Sequence, residues 1–255
     1  MTEDAAMRPF ELTGVVYLTA PTGAVATTLD DLRRCVADAA PASLFRHTQM
    51  QRLDAHGAEP PADELSAWVR GVVQDAETAE RIGFVVQTAP PGAEPLRARL
   101  LEALDTLPAA ARERRAAPEG GAFAFLAARA VPIRAGAPAR DARELARALE
   151  RATRDVWFHH LVEEPWFAGG EPALLAWLRA AGGEALAETL ARETRRRTSI
   201  DALRAAVRRH DRRAGIAGRV LSGETAATAA DAAGMRSLVR RLARRLAGAD
   251  ARRGA

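Results

Sequence analysis

Four side chains in this chain have the chemistry of a metal or acid–base site: His47, His159, His160 and Glu163. His160 and Glu163 stand three apart, so a helix would put both on one face. Two imidazoles and a carboxylate make a facial site for zinc or non-haem iron if the fold brings His47 beside them. A His–Glu pair can also act as an oriented general base. The same residues have a plainer use. Phe45, Trp157 and Phe158 adjoin them, and histidines buried among aromatics hydrogen-bond carbonyls or carboxylates and lock the packing. Thr48, beside His47, completes the candidate pocket.

Other chemistry is sparse. Cys35 falls beside the apolar stripe of a helix, which reads as a small core residue. A single cysteine excludes an intrachain disulfide framework and a thiolate zinc cage. His56 and His210 sit in polar surroundings and read as solvated. Trp166-Phe167 before Gly169-Gly170 could line a pocket or pack under a loop. Walker, Rossmann, nucleophile-elbow and paired-cysteine motifs are absent.

The elements that must position these residues come as a repeat. Sliding the chain by 113 positions aligns Phe10 with Phe123, Gly23 with Gly136, Leu32 with Leu145, Phe45 with Phe158 and His47 with His160. Ala67-Trp68-Val69-Arg70 and Ala176-Trp177-Leu178-Arg179 follow in the same order, as do Leu96-Arg97-Ala98 and Leu203-Arg204-Ala205. The expected organisation is repeat 1 over residues 9–107, a linker over 108–121, repeat 2 over 122–210 and a basic extension over 211–255. Each repeat reads as a short strand (Phe10 to Leu18, Phe123 to Val131), a turn at Pro21 to Gly23 or Gly136 to Pro138, and then helices. Thr28 and Asp141 cap the first helices, and Trp68 and Trp177 anchor later ones. The fold class expected is mainly α with short β-strands (α+β), an internal tandem duplication packed as a pseudo-twofold unit.

At the histidines the pattern becomes nameable. Leu44-Phe45-Arg46-His47-Thr48 and Trp157-Phe158-His159-His160-Leu161-Val162-Glu163, with Pro21-Thr22-Gly23 and the Trp68 helix, resemble the uncharacterised bacterial domain-of-unknown-function family 5752. That family has two copies, the first with an aromatic before His-Thr-His-His and the second with aromatic-His-x-x-Glu. His47, Thr48, His160 and Glu163 match the pattern. Gln49 and Met50 replace two histidines, and Pro165 falls where the family runs on. The resemblance covers Pro9 to His210 and carries no activity with it. The missing histidines favour the packing role, since a metal needs a full ligand set.

Composition sets the remaining bounds. The chain has 255 residues, 48% hydrophobic and 27% charged, which suits a globular protein of one large domain or two small ones. All 37 basic residues are arginine, and asparagine is missing, the mark of a GC-rich coding sequence. Residues 195–255 hold 16 arginines against 5 acids, while residues 1–194 hold 21 against 28. A basic amphipathic helix is expected near residues 235–247, with Leu238, Leu242 and Leu246 on one side and Arg236, Arg240, Arg241, Arg244 and Arg245 around them. It could dock on the acidic body, contact nucleic acid phosphates or meet an anionic membrane surface; docking is favoured. No leader or membrane span is expected, and the location expected is cytoplasmic. The function expected is a non-catalytic module binding a protein partner or small ligand. The alternatives are a metal-dependent hydrolase or oxygenase using His47, His160 and Glu163, and a nucleic-acid binder using its arginine-rich end.

Overall fold

The computed structural model describes residues 8–56, 61–196 and 199–221, with side chains described as far as His210. The arginine-rich helix expected near residues 235–247 and the segment leading to it lie outside the described residues. The chain divides into two compact units, Met1–Arg208 and Arg209–Ala255. Of the second, the described residues are one helical stretch ending at Leu221.

Strand β1 (Thr13–Ala26) leads into helices α1 (Leu29–Asp38), α2 (Pro41–Thr48), α3 (Gln51–Asp54), α4 (Glu64–Trp68), α5 (Ala76–Thr88), α6 (Ala93–Asp105) and α7 (Ala109–Arg114). Strand β2 (Phe123–Arg134) opens the second series: α8 (Ala142–Arg151), α9 (Arg154–Phe158), α10 (Glu164–Ala168), α11 (Ala173–Ala180), α12 (Glu184–Arg195) and α13 (Ile200–Leu221). The mainly α fold with a small sheet agrees with the expectation. No helix among the described residues is long and apolar enough to cross a membrane.

The two strands pair antiparallel, from Thr13 opposite Arg134 to Ala26 opposite Phe123. Tyr17 stands opposite Ala130, and these residues are themselves 113 apart. β1 is longer than expected. The turn expected at Pro21 to Gly23 is instead an irregularity of register between Pro21 and Val25 within the strand. Three features allow this. A two-stranded ribbon has only edge strands, where proline is tolerated. Gly23 supplies a φ of 83°, which a glycine adopts without a Cβ clash. The Thr22 hydroxyl then donates across to the Phe125 carbonyl at 2.8 Å.

The first helices form where their caps predict. Thr28 accepts from the Asp31 N–H in a capping box, and Asp141 accepts from the Glu144 N–H. Leu29, Leu32 and Val36 bury one face of α1, and Leu145, Ala146 and Leu149 bury that of α8. The stretch 108–121 is more than the expected linker, because it carries α7 and is pinned to the body. Arg112, 8% exposed, donates to Asp30 at 3.0 Å and to Asp105 at 2.9 Å. The Leu29 N–H also donates to the Arg115 carbonyl.

Strand β2 packs on α2 of the first series, and β1 packs on α9 of the second as well as on α1 of its own. Phe45 of α2 and Phe158 of α9 meet under the ribbon with ring centroids 5.7 Å apart, and Tyr17 contacts both. All three belong to the apolar core, which runs without a break through both series of helices.

Candidate functional site

His47 is buried on α2 with both ring nitrogens engaged. The Leu126 N–H of β2 donates to Nε2 at 2.8 Å, so Nδ1 carries the proton and donates to Glu64 at 2.6 Å. Phe123 and Phe125 flank the ring. Burial pushes the Glu64 carboxyl up, but hydrogen bonds from His47, Arg46 and Gln51 outweigh it and hold the group down at about 2. Thr48 turns inward and donates to the Leu44 carbonyl at 2.7 Å.

His160 repeats the arrangement on the other strand. It sits in a π-helical turn (His159–Glu163) that continues α9. Its Nε2 accepts the Thr13 N–H of β1 at 2.9 Å, and its Nδ1 faces Glu164 at 3.4 Å. The hydrogen bond from His160 holds the Glu164 carboxyl below its ordinary value, against burial. Phe10 packs on this ring with centroids 5.2 Å apart. Thr13 and Leu126 are 113 apart, as are His47 and His160, and Phe10 and Phe123. The tryptophans follow suit: the Trp68 indole N–H donates to the Gly121 carbonyl, and that of Trp177 to the Arg8 carbonyl, both at 2.8 Å.

This arrangement does not bring His47 and His160 together as the alternative His47–His160–Glu163 metal site requires. Leu126 lies opposite Pro21, eight residues along β1 from Thr13, roughly 26 Å at 3.3 Å per residue. The two imidazoles grip opposite ends of the ribbon, and neither keeps a ring lone pair for zinc or iron. No group of His, Cys, Asp and Glu among the described residues has the arrangement of a metal site. Glu163 and His159 lie instead at the middle of the ribbon. The Tyr17 hydroxyl donates to Glu163 at 2.8 Å, and His159 Nδ1 lies 2.7 Å from the same oxygen. Burial, followed by the Glu163 charge, drives the Tyr17 phenol far above its ordinary value, so it stays a hydrogen-bond donor.

A cleft of about 560 Å³ opens between the end of α2, the end of α5 and helices α10 to α12. Leu161, Val162, Pro165 and Leu175 give it apolar walls, while Gln49, Gln87 and Arg195 bring polar groups. Trp166, 5% exposed, lines it. Its indole Nε1 and the Thr194 hydroxyl, also on the wall, are both buried without a hydrogen-bond partner. Sequence reading marks Trp166 through the aromatic pair and the glycines after it. It marks Gln49 only as a departure from the family pattern, and it misses Thr194, which carries no local signal.

Residues 7–210 match the family model described as "Family of unknown function (DUF5752)". The chain belongs to the DUF5752 family. It is also similar to a solved structure described as "The structure of OrfY from Thermoproteus tenax", with a TM-score of 0.66 and 22% identity. That match covers 80% of this chain and 94% of the other, and shows a shared fold. No curated protein matches the chain.

The remaining candidates of this DUF5752 chain are quiet. The Cys35 thiol is half-buried, lies 3.7 Å from the Val25 carbonyl and is pushed up by burial and by Asp31. It therefore lacks the character of a reactive thiolate. His56 is exposed and faces Asp201 at 3.4 Å.

Proposed function

We propose that this DUF5752 chain is a non-catalytic binding module and that the cleft of about 560 Å³ is its ligand site. The observation that carries the proposal is that two residues lining the cleft, Trp166 and Thr194, each hold a buried polar atom without a hydrogen-bond partner, Nε1 and Oγ1. Buried donors are satisfied in the great majority of cases, and leaving one unmade costs about 1–3 kcal/mol. A ligand acceptor that reached either group would remove that cost. The volume is in the range for small-molecule sites, roughly 300–1,000 Å³. The apolar walls call for a short hydrocarbon body, and Arg195 at the rim favours an anionic head. The ligand class is a small amphiphilic carboxylate.

The cleft also lies where the two series meet. Gln49 and Val162 are related by the offset of 113, as are Arg52 and Pro165. We read residues 9–107 and 122–210 as copies of one ancestral unit, with the cleft on the approximate twofold between them. Duplicated folds place ligand sites at such junctions, because divergence there can make two formerly identical walls complementary to an asymmetric molecule.

The test is a calorimetric titration with straight-chain carboxylates from butanoate to decanoate. Binding of at least one chain length is expected. It should weaken severalfold in Thr194→Val and disappear in Leu161→Trp, which fills the cleft. No heat with any member, or equal binding by both variants, rejects the assignment.

A further inference from the structure

A second cavity, remote from that cleft, has a twin. It measures about 800 Å³ and lies between α8, the turn after β2 and the start of β1. A pocket of about 580 Å³ lies between α1, the irregular part of β1 and β2. The offset of 113 carries every residue lining the smaller pocket onto one lining the larger, Phe125 falling on Leu12 by the reverse shift. The two pockets are thus lined by offset-related positions, and they differ in charge.

In the smaller pocket Arg34 is paired with Asp30 and Asp31, and Asp38 adds another acid. At the positions equivalent to Asp30 and Asp38 stand Arg143 and Arg151. The larger pocket is lined by Arg134, Arg140, Arg147 and Arg151. Arg134 reaches Glu11 at 2.8 Å. Among the described residues, Arg140, Arg147 and Arg151 have no carboxylate within ion-pair distance. The two acids of the pocket are committed to main-chain donors: Glu144 accepts the Arg140 N–H at 2.8 Å, and Asp155 accepts the Val15 N–H at 3.0 Å. Asp155 enters this position because Gly14 has no side chain; a Cβ there would lie 2.5 Å from its carboxylate oxygen.

We infer that this arginine-lined pocket is a binding site for a small polyanion of the diphosphate type. Arg147 and Arg151 project one helical turn apart, and like charges at that spacing repel. A multiply charged oxyanion relieves the repulsion and accepts the paired N–H donors of guanidinium groups, a geometry that suits phosphate. The concave shape and its volume fit a small molecule, whereas a nucleic-acid backbone is met by a basic stripe along an extended face.

The experiment titrates the full chain with inorganic pyrophosphate by calorimetry at low salt, beside Arg147→Ala, Arg151→Ala and Arg34→Ala. All three arginines are on exposed helix faces, and an unchanged melting temperature confirms folding of each variant. Pyrophosphate should bind, and either of the first two substitutions should weaken it about tenfold or more, the effect of losing one charge-assisted contact. Arg34→Ala, in the acidic twin, should bind as the parent does. Equal binding by Arg147→Ala and Arg151→Ala would assign the affinity elsewhere in the chain and end the inference. No pyrophosphate binding would also end it. A DNA duplex that binds through Arg147 and Arg151 more tightly than pyrophosphate would replace the small-anion site with a nucleic-acid surface.

Discussion

Glu64 shows how the histidines of this protein are used. Its carboxylate receives His47 Nδ1–H and an Arg46 guanidinium donor, both at 2.6 Å. Its folded value of about 2 lies below the ordinary 4.5. A depressed carboxylate stabilises the fold fully above its unfolded value and loses that contribution as pH falls through the folded one. The Glu64 contribution is therefore complete above about pH 5 and disappears between about pH 4.5 and 2. Urea midpoints should show Glu64→Gln clearly less stable than the parent at pH 7, with the gap closing by about pH 2. A constant gap across that range would mean that the carboxylate's charge contributes nothing. The candidate residues were legible as unusual, because His, Thr and Glu among aromatics stand out in so alanine-rich a chain. Their roles were not legible. Whether two imidazoles converge or grip opposite ends of a ribbon depends on which strand each helix covers, and that is absent from local spacing.

At the scale of elements, capping and periodicity carried most of the reading. Thr28 and Asp141 start α1 and α8 as their side-chain chemistry dictates. Pro172 precedes α11, and Ser199 accepts the Ala202 N–H at the start of α13. Pro21 and Gly23 have the composition of a turn, yet the ladder to β2 continues past them with a local shift. Long-range pairing overrode the local signal there, as it did at 108–121, where Arg112 holds α7 against the body. Gly23 and Gly136 have φ values of 83° and 84°, with nothing within 4 Å of a built Cβ. Substituting alanine meets no neighbour, so its cost is that of the left-handed backbone alone, about 1–2 kcal/mol. Gly23→Ala and Gly136→Ala should therefore be destabilised by similar amounts in denaturant titrations. Unequal losses would show that one of the two sites is supported in a way the other is not.

For the molecule as a whole, the exchange of contacts between the two series decides how it folds. His47 holds β2 and His160 holds β1, and the indoles of Trp68 and Trp177 reach main-chain carbonyls of the opposite segment. Each strand thus takes part of its anchoring from the other series. Fragments 1–116 and 117–255, expressed separately, should each show little cooperative unfolding by circular dichroism. Mixed in equal amounts, they should recover the far-ultraviolet signal and a single thermal transition. A fragment that melts cooperatively alone would mean that the exchanged contacts are dispensable.

The pairing of Tyr17 with Ala130 at the centre of the ribbon carries one more consequence. Tyr17 donates to Glu163, and the residue equivalent to Glu163 under the offset is Met50. Met50 carries a thioether where Glu163 carries a carboxylate, and Ala130 has no hydroxyl. A hydroxyl–carboxylate bond thus fastens the ribbon on one side of its midpoint, and Ala130 and Met50, at the offset positions, cannot form the same bond.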